Sequence, residues 1–208
     1  MPDAILIGGG GHARVLLDIA RRLGHRVVGY AAPTPAAADP GLPYLGDDDA
    51  LARSLDAASA FAILALGKTH PGDHRLRVMA SLARAGFRFP AIVAPSATVH
   101  ADVVLSDGVV VLDGAVVATG TRLGRGCIVN TRASVDHDVR LGNDVHVAPG
   151  ATLCGAVQVG DDCLIGAGAT LIPEVRLVGG ITVGAGAVVV RDLLEPGTYV
   201  GAPARKIR

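Results

Sequence analysis

Residues 141–165 read LGNDVHVAPGATLCGAVQVGDDCLI, and a branched aliphatic residue occupies every sixth position of this stretch. The same spacing runs without a break from Val93 to Val189. The positions are Val93, Val99, Leu105, Val111, Val117, Leu123, Val129, Val135, Leu141, Val147, Leu153, Val159, Ile165, Leu171, Leu177, Val183 and Val189. A period of six fits neither an α-helix nor simple strand alternation, but it is the repeat of a hexapeptide β-helix. The stretch therefore predicts short strands that each turn one aliphatic side chain inward.

A second register of small or apolar residues follows the first by four positions. It comprises Ala97, Val103, Val109, Ala115, Thr121, Cys127, Ala133, Val139, Val145, Ala151, Val157, Cys163, Ala169, Val175, Ile181 and Ala187. Three strands make a triangular coil of about 18 residues, so the stretch predicts a little over five coils. Stacked coils bury one continuous aliphatic column that no single coil buries alone. We expect Cys127 and Cys163 to be core thiols within that column.

Composition narrows the class of protein further. The chain has 208 residues and a formal net charge of zero, so nothing indicates binding to nucleic acid or to an anionic membrane. No apolar run reaches transmembrane length and no leader is recognisable, so we expect a soluble, cytoplasmic protein. Three cysteines without CxxC spacing argue against a disulfide framework or a zinc site. Aromatic residues make up 3% of the chain, which does not suit a base-stacking surface.

The segment before the hexads predicts a separate α/β domain. An apolar run at residues 4–7 enters the turn Gly8-Gly9-Gly10-Gly11-His12-Ala13, and an amphipathic helix follows, closed by Gly24. A second strand is expected at residues 26–30. The glycines let a ligand approach the backbone, and the free N–H groups of the helix N-terminus favour an anion such as phosphate. We expect domains at residues 1–90 and 91–208.

The glycine turn alone does not identify the ligand. Gly8, Gly10 and Ala13 match G-x-G-x-x-A, but a nicotinamide-binding unit also needs an acid at the end of the second strand. Tyr30 and Ala31 stand there instead, which argues against a dehydrogenase. A short helix is expected at residues 47–55, a third strand at 61–66 and a helix at 75–85. The third strand leads into Gly67-Lys68-Thr69-His70, at the same sheet edge as the glycine turn.

Candidate chemistry in the hexad region centres on Asp136-His137-Asp138. A carboxylate that holds one imidazole nitrogen fixes the tautomer and raises the basicity of the other, so His137 is a candidate general base. The alternative is a histidine in a polar surface turn. A metal site is disfavoured, because His146 lies about half a coil away and no third histidine follows. The carboxylate pair of a glycosidase is also disfavoured, since adjacent coil residues seldom face each other across a cleft.

These motifs together resemble one family over nearly the whole chain. They are Ile7-Gly8-Gly9-Gly10-Gly11-His12, the hexads from Val93, Asn130-Thr131 followed by Asp136-His137-Asp138, and the ending Tyr199-Val200-Gly201-Ala202-Pro203-Ala204. The chain resembles the sugar O-acyltransferases of the sialic acid O-acetyltransferase type, which include N-acetyltransferases of nucleotide-linked 4-amino sugars. The resemblance implies a Rossmann-like N-terminal domain followed by a left-handed parallel β-helix. It further implies a homotrimer, with acetyl-CoA as acyl donor in grooves between subunits and no metal.

The resemblance also assigns roles to residues. His137 would be the general base for the sugar amine or hydroxyl, Asp138 would orient it, and His146 would lie nearby, from its own or a neighbouring subunit. The full catalytic set is His137, Asp138, Asp136, Asn130 and His146. The Gly155 N–H would stabilise the thioester oxyanion, and the cofactor set is Cys154, Gly155, Ala167, Ala185, Arg205 and Lys206. The nucleotide-sugar set is Gly8, Gly10, Gly11, His12, Tyr30, Gly67 and Lys68.

The sequence departs from the family at three points. Gly10 replaces a serine of the turn, and Tyr30-Ala31 replace one or two acids that help read the nucleotide. Asp138 replaces a more common glutamate, so Asp136 or a water is an alternative orienting group. Acetylation of an amine on a nucleotide-linked 4-amino sugar is the first hypothesis. O-acetylation of a sialic acid or another sugar hydroxyl is the second, and a non-catalytic trimeric binding protein is the third.

Overall fold

The computed structural model describes residues 3–37, 41–54, 57 and 59–207. They form an N-terminal α/β unit followed by a parallel β-solenoid, which confirms the predicted fold class. Met1, Pro2 and Arg208, at the ends of the two predicted domains, lie outside the described residues, as does Leu55 at the end of the predicted short helix.

The N-terminal unit is a three-stranded parallel sheet with helices. Its elements are β1 Asp3–Ile7, α1 Gly11–Arg22, β2 Val27–Ala31, α2 Asp48–Ser54, β3 Ala60–Leu64 and α3 His74–Arg84. The strand order is β2-β1-β3, and β1 pairs in parallel with both neighbours. The glycine turn after β1 and the loop after β3 therefore leave the same edge of the sheet, as the sequence predicts.

The solenoid consists of very short strands. They are β4 Ile92–Val93, β5 Thr98–Val99, β6 Val104–Leu105, β7 Val110–Val111, β8 Val116–Val117, β9 Arg122–Leu123, β10 Ile128–Val129, β11 Ser134–Val135, β12 Arg140–Leu141, β13 His146–Val147, β14 Thr152–Leu153, β15 Gln158–Val159, β16 Leu164–Ile165, β17 Thr170–Leu171, β18 Arg176–Leu177, β19 Ile181–Val183, β20 Val188–Val189, β21 Gly197–Val200 and β22 Arg205–Lys206. Within the solenoid, the second residue of each repeating pair belongs to the aliphatic register and points inward.

Three faces enclose the core. The first face carries β4, β7, β10, β13, β16 and β19 and continues into β21 and β22. The second carries β5, β8, β11, β14, β17 and β20, and the third carries β6, β9, β12, β15 and β18. The solenoid thus has about six coils, because β21 extends the stack beyond the hexads.

The solenoid core matches both predicted registers. Cys127 and Cys163 are fully buried, as expected of core thiols. Thr121 is also fully buried, and its hydroxyl donates to the Asp136 carbonyl oxygen at 2.8 Å. This hydrogen bond explains how a polar residue is accommodated in an apolar column.

The N-terminal unit packs against the lower part of the first face. The outward side chains Ile92, Val110 and Ile128 there share a buried cluster with Leu16 of α1. Two hydrogen bonds of 2.9 and 2.7 Å from the Arg22 guanidinium to the Asp113 carboxylate brace the edge of this contact. None of the helices in the described ranges has the length and apolar character needed to cross a membrane.

Candidate active site

His137 occupies the turn between β11 and β12, at the corner of the second and third faces. Its Nδ1 lies 2.9 Å from Asp138 Oδ2, while its backbone N–H donates to Asp136 Oδ1 at 2.7 Å. Asp138 therefore contacts the imidazole ring, whereas Asp136 accepts a hydrogen bond from the backbone. The two carboxylates thus have different roles. Because a carboxylate only accepts, Nδ1 carries the proton and the lone pair of Nε2 is free.

The carboxylates also tune His137 as a base. Its pKa is raised above the usual value, first by the hydrogen bond to Asp138 and then by the nearby charge of Asp136. The side chain is 55% exposed, so burial opposes this effect only weakly. A more basic imidazole in an accessible position suits proton abstraction.

The local backbone explains how the pair is positioned. Asp138 adopts φ of 60°, a left-handed conformation that aspartate tolerates better than most residues. Its side chain folds over Gly120, one coil earlier, where an added Cβ would collide with the carboxylate. Asp138 therefore needs a glycine below it in order to reach Nδ1 of His137.

Gly155 faces the His137 ring from the next coil. A Cβ at Gly155 would be 2.5 Å from His137 Nε2, so no larger residue fits without moving the ring. The Gly155 N–H donates to no group in the described part of the chain. Cys154 precedes it as a half-buried free thiol.

His146 lies on the first face, in a different setting. Its Nδ1 donates to the Lys68 carbonyl oxygen at 2.7 Å, and its Nε2 accepts from Asn130 Nδ2 at 3.0 Å. The amide of Asn130 is oriented by Oδ1, which accepts the Thr131 N–H at 2.7 Å. Burial lowers the pKa of His146, and the charges of Arg75 and Lys68 lower it further. His146 is thus a neutral imidazole with both nitrogens engaged.

Lys68 does not face the glycine turn, contrary to its predicted contact with the nucleotide-sugar. Its side chain is 2% exposed, and its ammonium lies 3.0 Å from Asp144 and 2.5 Å from Asp162. Arg75 from α3 forms a second ion pair with the same Asp144. These contacts anchor the loop after β3 to the solenoid, and they leave the ammonium unavailable to a phosphate.

His12 lies in the first turn of α1, close to Gly67. Burial lowers the pKa of His12 to about 4, helped by the charge of Arg75 and by the neighbouring His146 imidazole. Its Nε2 and the Nη2 of Arg75 are both buried without a hydrogen-bond partner in the described chain. His12, Arg75 and His146 are therefore near enough to interact, and they form a polar cluster between the N-terminal unit and the solenoid.

The glycine turn borders an open cavity of about 500 Å³. Gly9 and Gly10 line one side, and residues 32–37 line the other. No side chain among the described residues caps α1, and Gly10 and Gly11 have open space where a Cβ would stand, so helix N–H groups are accessible. Tyr30 does not line this cavity, contrary to expectation. It is 4% exposed, and its hydroxyl accepts the Ala36 N–H at 3.0 Å, which shapes the wall from behind.

The remaining predicted cofactor residues lie near the corner of the first and second faces or at the C-terminus. Ala167 and Ala185 are exposed in successive turns of that corner. Arg205 is exposed, and its guanidinium donates only to the Ala204 carbonyl oxygen within the described chain. Lys206 forms an ion pair of 2.9 Å with Glu195.

The predicted site residues form two separate groups within one chain. His137, Asp136, Asp138, Cys154 and Gly155 share the corner between the second and third faces. The other group comprises the glycine turn, His12, Gly67, Lys68, Asn130 and His146, around the first face. The two groups lie at opposite edges of the second face, so one chain does not bring His137 next to His146.

Four residues that shape the site were not predicted from the sequence: Gly120, Arg75, Asp144 and Asp162. Asp144 and Asp162 are one coil apart and stack above Gly126, whose carbonyl oxygen also accepts from Arg75 at 2.9 Å. The spacing of one coil between Asp144 and Asp162 is visible in the sequence, and it could have predicted that the two side chains stack. In the described ranges, no group of three or more His, Cys, Asp or Glu side chains forms a metal-binding cluster.

A repeat solenoid with a histidine–aspartate pair above an open backbone N–H defines the class of hexapeptide-repeat acyltransferases. Two family models match the chain: the PglD N-terminal domain at residues 3–78 and the bacterial transferase hexapeptide (six repeats) at residues 138–173. No curated protein sequence matches it.

Solved structures give a whole-chain likeness. The acetyltransferase domain of PglB from Neisseria gonorrhoeae is 34% identical with a TM-score of 0.93, and the alignment covers 100% of both chains. PerB from Caulobacter crescentus, in complex with CoA and GDP-perosamine, is 35% identical with a TM-score of 0.92, over 100% of this chain and 98% of that one. WeeI from Acinetobacter baumannii, at 21% identity and a TM-score of 0.88, shares the fold. The chain therefore belongs to the hexapeptide-repeat sugar acyltransferases with a PglD-type N-terminal domain, and it is an acyltransferase.

Proposed function

We propose that this enzyme transfers the acetyl group of acetyl-CoA to the amine of a nucleotide-linked 4-amino sugar, with His137 as the general base. The observation that carries the proposal is the hydrogen bond between His137 and Asp138, which leaves Nε2 free directly over Gly155. Two relatives support the donor and acceptor: the PglB domain was solved with acetyl coenzyme A, and PerB with CoA and GDP-perosamine.

The chemistry follows from these groups. The neutral acceptor nitrogen attacks the thioester carbon, the C–N bond forms, and His137 Nε2 takes a proton from the amine. Negative charge develops on the thioester oxygen, and the unpaired Gly155 N–H is suited to stabilise it. When the carbonyl re-forms, the C–S bond breaks and CoA departs as the thiol, with its proton returned by His137. Cys154 forms no covalent bond in this scheme.

The separation of the two groups of site residues supports a site shared between subunits. The outward residues of the second face are uncharged: Thr98, Val116, Ser134, Thr152, Thr170 and Val188. The third face instead presents Arg122, Arg140 and Arg176. An uncharged face favours self-association over a charged one. A homotrimer packed through the second face would bring His137 of one subunit towards the first-face group of its neighbour.

The glycine turn is the proposed nucleotide-sugar site. Gly8, Gly10 and Gly11 let the diphosphate approach the free N–H groups of α1, and Gly67 leaves room beside His12. Neutral His12 would act as a hydrogen-bonding group, since its Nε2 has no partner within the described chain, whereas both nitrogens of His146 are already engaged. Acetyl-CoA would run along the small residues Ala167 and Ala185, with Arg205 available to a CoA phosphate. We propose that residues 1–90 form the domain that binds the acceptor nucleotide-sugar and that residues 91–208 form the domain that binds the acetyl donor.

The test is thiol release from acetyl-CoA across UDP- and GDP-linked 4-amino sugars and free sialic acid. Turnover with a nucleotide amino sugar, giving a product that resists hydroxylamine, would support amide formation. A hydroxylamine-sensitive product would be an ester and would favour the O-acetyltransferase alternative. Absence of turnover across the panel, together with no binding of acetyl-CoA by calorimetry, would contradict both and favour a non-catalytic binding protein.

A further inference from the structure

A second cavity, of about 540 Å³, lies at the seam between the N-terminal unit and the first coils of the solenoid. Phe61 contributes from the start of β3, whereas Gly67, which lies beside His12 of the glycine turn, follows the end of the same strand. The cavity is therefore at the opposite end of the sheet from the glycine turn. It also lies away from the corner that carries His137, so acyl transfer does not account for it.

The walls of this seam cavity are unusually aromatic for this chain. The chain has three phenylalanines, and all of them, Phe61, Phe87 and Phe89, line the cavity. His25 adds a fourth ring, edge-on to Phe61 with ring centroids 5.0 Å apart. Met79 and Ile92 complete an apolar interior. Its volume lies within the range of about 300–1,000 Å³ typical of small-molecule sites.

Charged side chains surround the apolar interior. Arg88 comes from the linker and Arg125 from a solenoid turn, and both are exposed. Neither guanidinium forms an ion pair with any residue that the structure describes. Among the residues that the structure describes, Asp107 is the only acid lining the cavity, so the charged side chains described there sum to one net positive charge. An apolar interior beneath one excess positive charge complements an apolar body that bears a single negative charge.

We propose that the seam cavity binds a small monoanionic amphiphile, namely an aromatic or short-chain aliphatic group bearing a carboxylate or sulfonate. The apolar body would lie against the phenylalanines, and the anion would reach Arg88 and Arg125. Because residues from both structural units line the cavity, such a ligand would bridge them. This proposal does not depend on the acceptor or donor of the acyl transfer.

The test uses 8-anilinonaphthalene-1-sulfonate as the anionic probe and N-phenyl-1-naphthylamine as its neutral counterpart, each titrated by fluorescence into the full-length protein. We expect saturable binding of one probe per chain. Arg125→Gln should weaken binding of the sulfonate about fivefold, the size of a solvent-exposed charge contact, and leave the neutral probe unchanged. The matched control is Arg122→Gln, an exposed arginine outside the cavity, which should alter neither.

A second pair of variants tests the location. Ala83 lines the cavity near the end of α3, and Ala85 follows the helix outside it. Ala83→Phe should fill the space and abolish binding of both probes, while Ala85→Phe should not. Saturating CoA should leave the probe bound. The proposal is overturned if no saturable binding occurs, if the two alanine variants behave alike, if Arg125→Gln matches Arg122→Gln, or if CoA displaces the probe.

Discussion

His137 Nε2 lies directly over Gly155, so that a Cβ at Gly155 would be only 2.5 Å away. The nitrogen proposed to take the proton thus lies beside the residue whose N–H is proposed to hold the oxyanion, across adjacent coils. A glycine at this position serves both groups: it makes room for the ring and leaves the backbone accessible.

Gly155→Ala should therefore impair catalysis more than folding. The new methyl group displaces the His137 ring, which is exposed and can move without opening the core. We expect kcat to fall about 10- to 100-fold, part of the usual size of general-base catalysis, with little change in the melting temperature. Cys154→Ala is the neighbouring control and should keep turnover within about threefold, because the thiol is not a nucleophile in this scheme. Equal losses in both variants would argue against the specific contact.

The pH dependence should follow from the carboxylates around His137. A general base works when unprotonated, and the Asp138 hydrogen bond raises the His137 pKa, so activity should fall on the acid side at a higher pH than for an ordinary histidine. Asp138→Asn removes the largest cause, so the acid limb of kcat/KM should move to lower pH while maximal turnover drops. An unchanged or upward-shifted limb in the variant would exclude His137 as the titrating base.

The buried ion pairs of Asp144 should matter for stability. Asp144 is 1% exposed and is paired with both Lys68 and Arg75. Asp144→Asn leaves two buried cations with one carboxylate fewer, and breaking a buried pair costs about 3–5 kcal/mol. Urea unfolding at one protein concentration should show that loss. Asp113→Asn, at the exposed edge of the domain contact, should cost about 1 kcal/mol or less. Similar values for the two variants would show that the buried network is not a stabilising anchor.

Mixed oligomers test whether the site is shared. His137→Ala removes the proposed site's contribution from one edge of the second face. Asn130→Ala removes the contribution from the other edge. If the site forms between subunits, trimers co-refolded from equal amounts of both variants should regain activity at about a quarter of their interfaces, since each interface combines two independently drawn subunits. Trimers of either variant alone should stay inactive. A mixture no more active than its parents would place the site within one chain.

The sequence predicts the solenoid well because its repeat is local. Each hexad specifies its own inward residue, so the burial of Val135 or Leu153 does not depend on any distant element. The same spacing explains why Asp138 contacts Gly120 and His137 contacts Gly155, since residues 18 apart stack on successive coils. The strands of the N-terminal unit also follow from local apolar runs, with ends displaced by one or two residues.

Other features depend on contacts between segments that are distant in the sequence, so local sequence patterns could not predict them. Lys68 follows a strand at the ligand-binding edge of the sheet, which favours a phosphate contact, but the solenoid presents Asp144 and Asp162 to it instead. Tyr30 ends a strand where a ligand is expected, yet the folded-back segment around Ala36 engages its hydroxyl. His137 and His146 are separated because they lie on different sides of the solenoid. Nine residues amount to half a coil, so the two side chains leave the solenoid in different directions.

The most direct test of the central claim is the turnover of His137→Ala with acetyl-CoA and an accepted nucleotide-linked 4-amino sugar. His100→Ala, at an exposed turn of the same corner, is the matched control. We expect kcat to fall by about 10² to 10⁴ in His137→Ala alone, with acetyl-CoA affinity nearly unchanged. Full turnover in His137→Ala would contradict it and require another residue to take the proton.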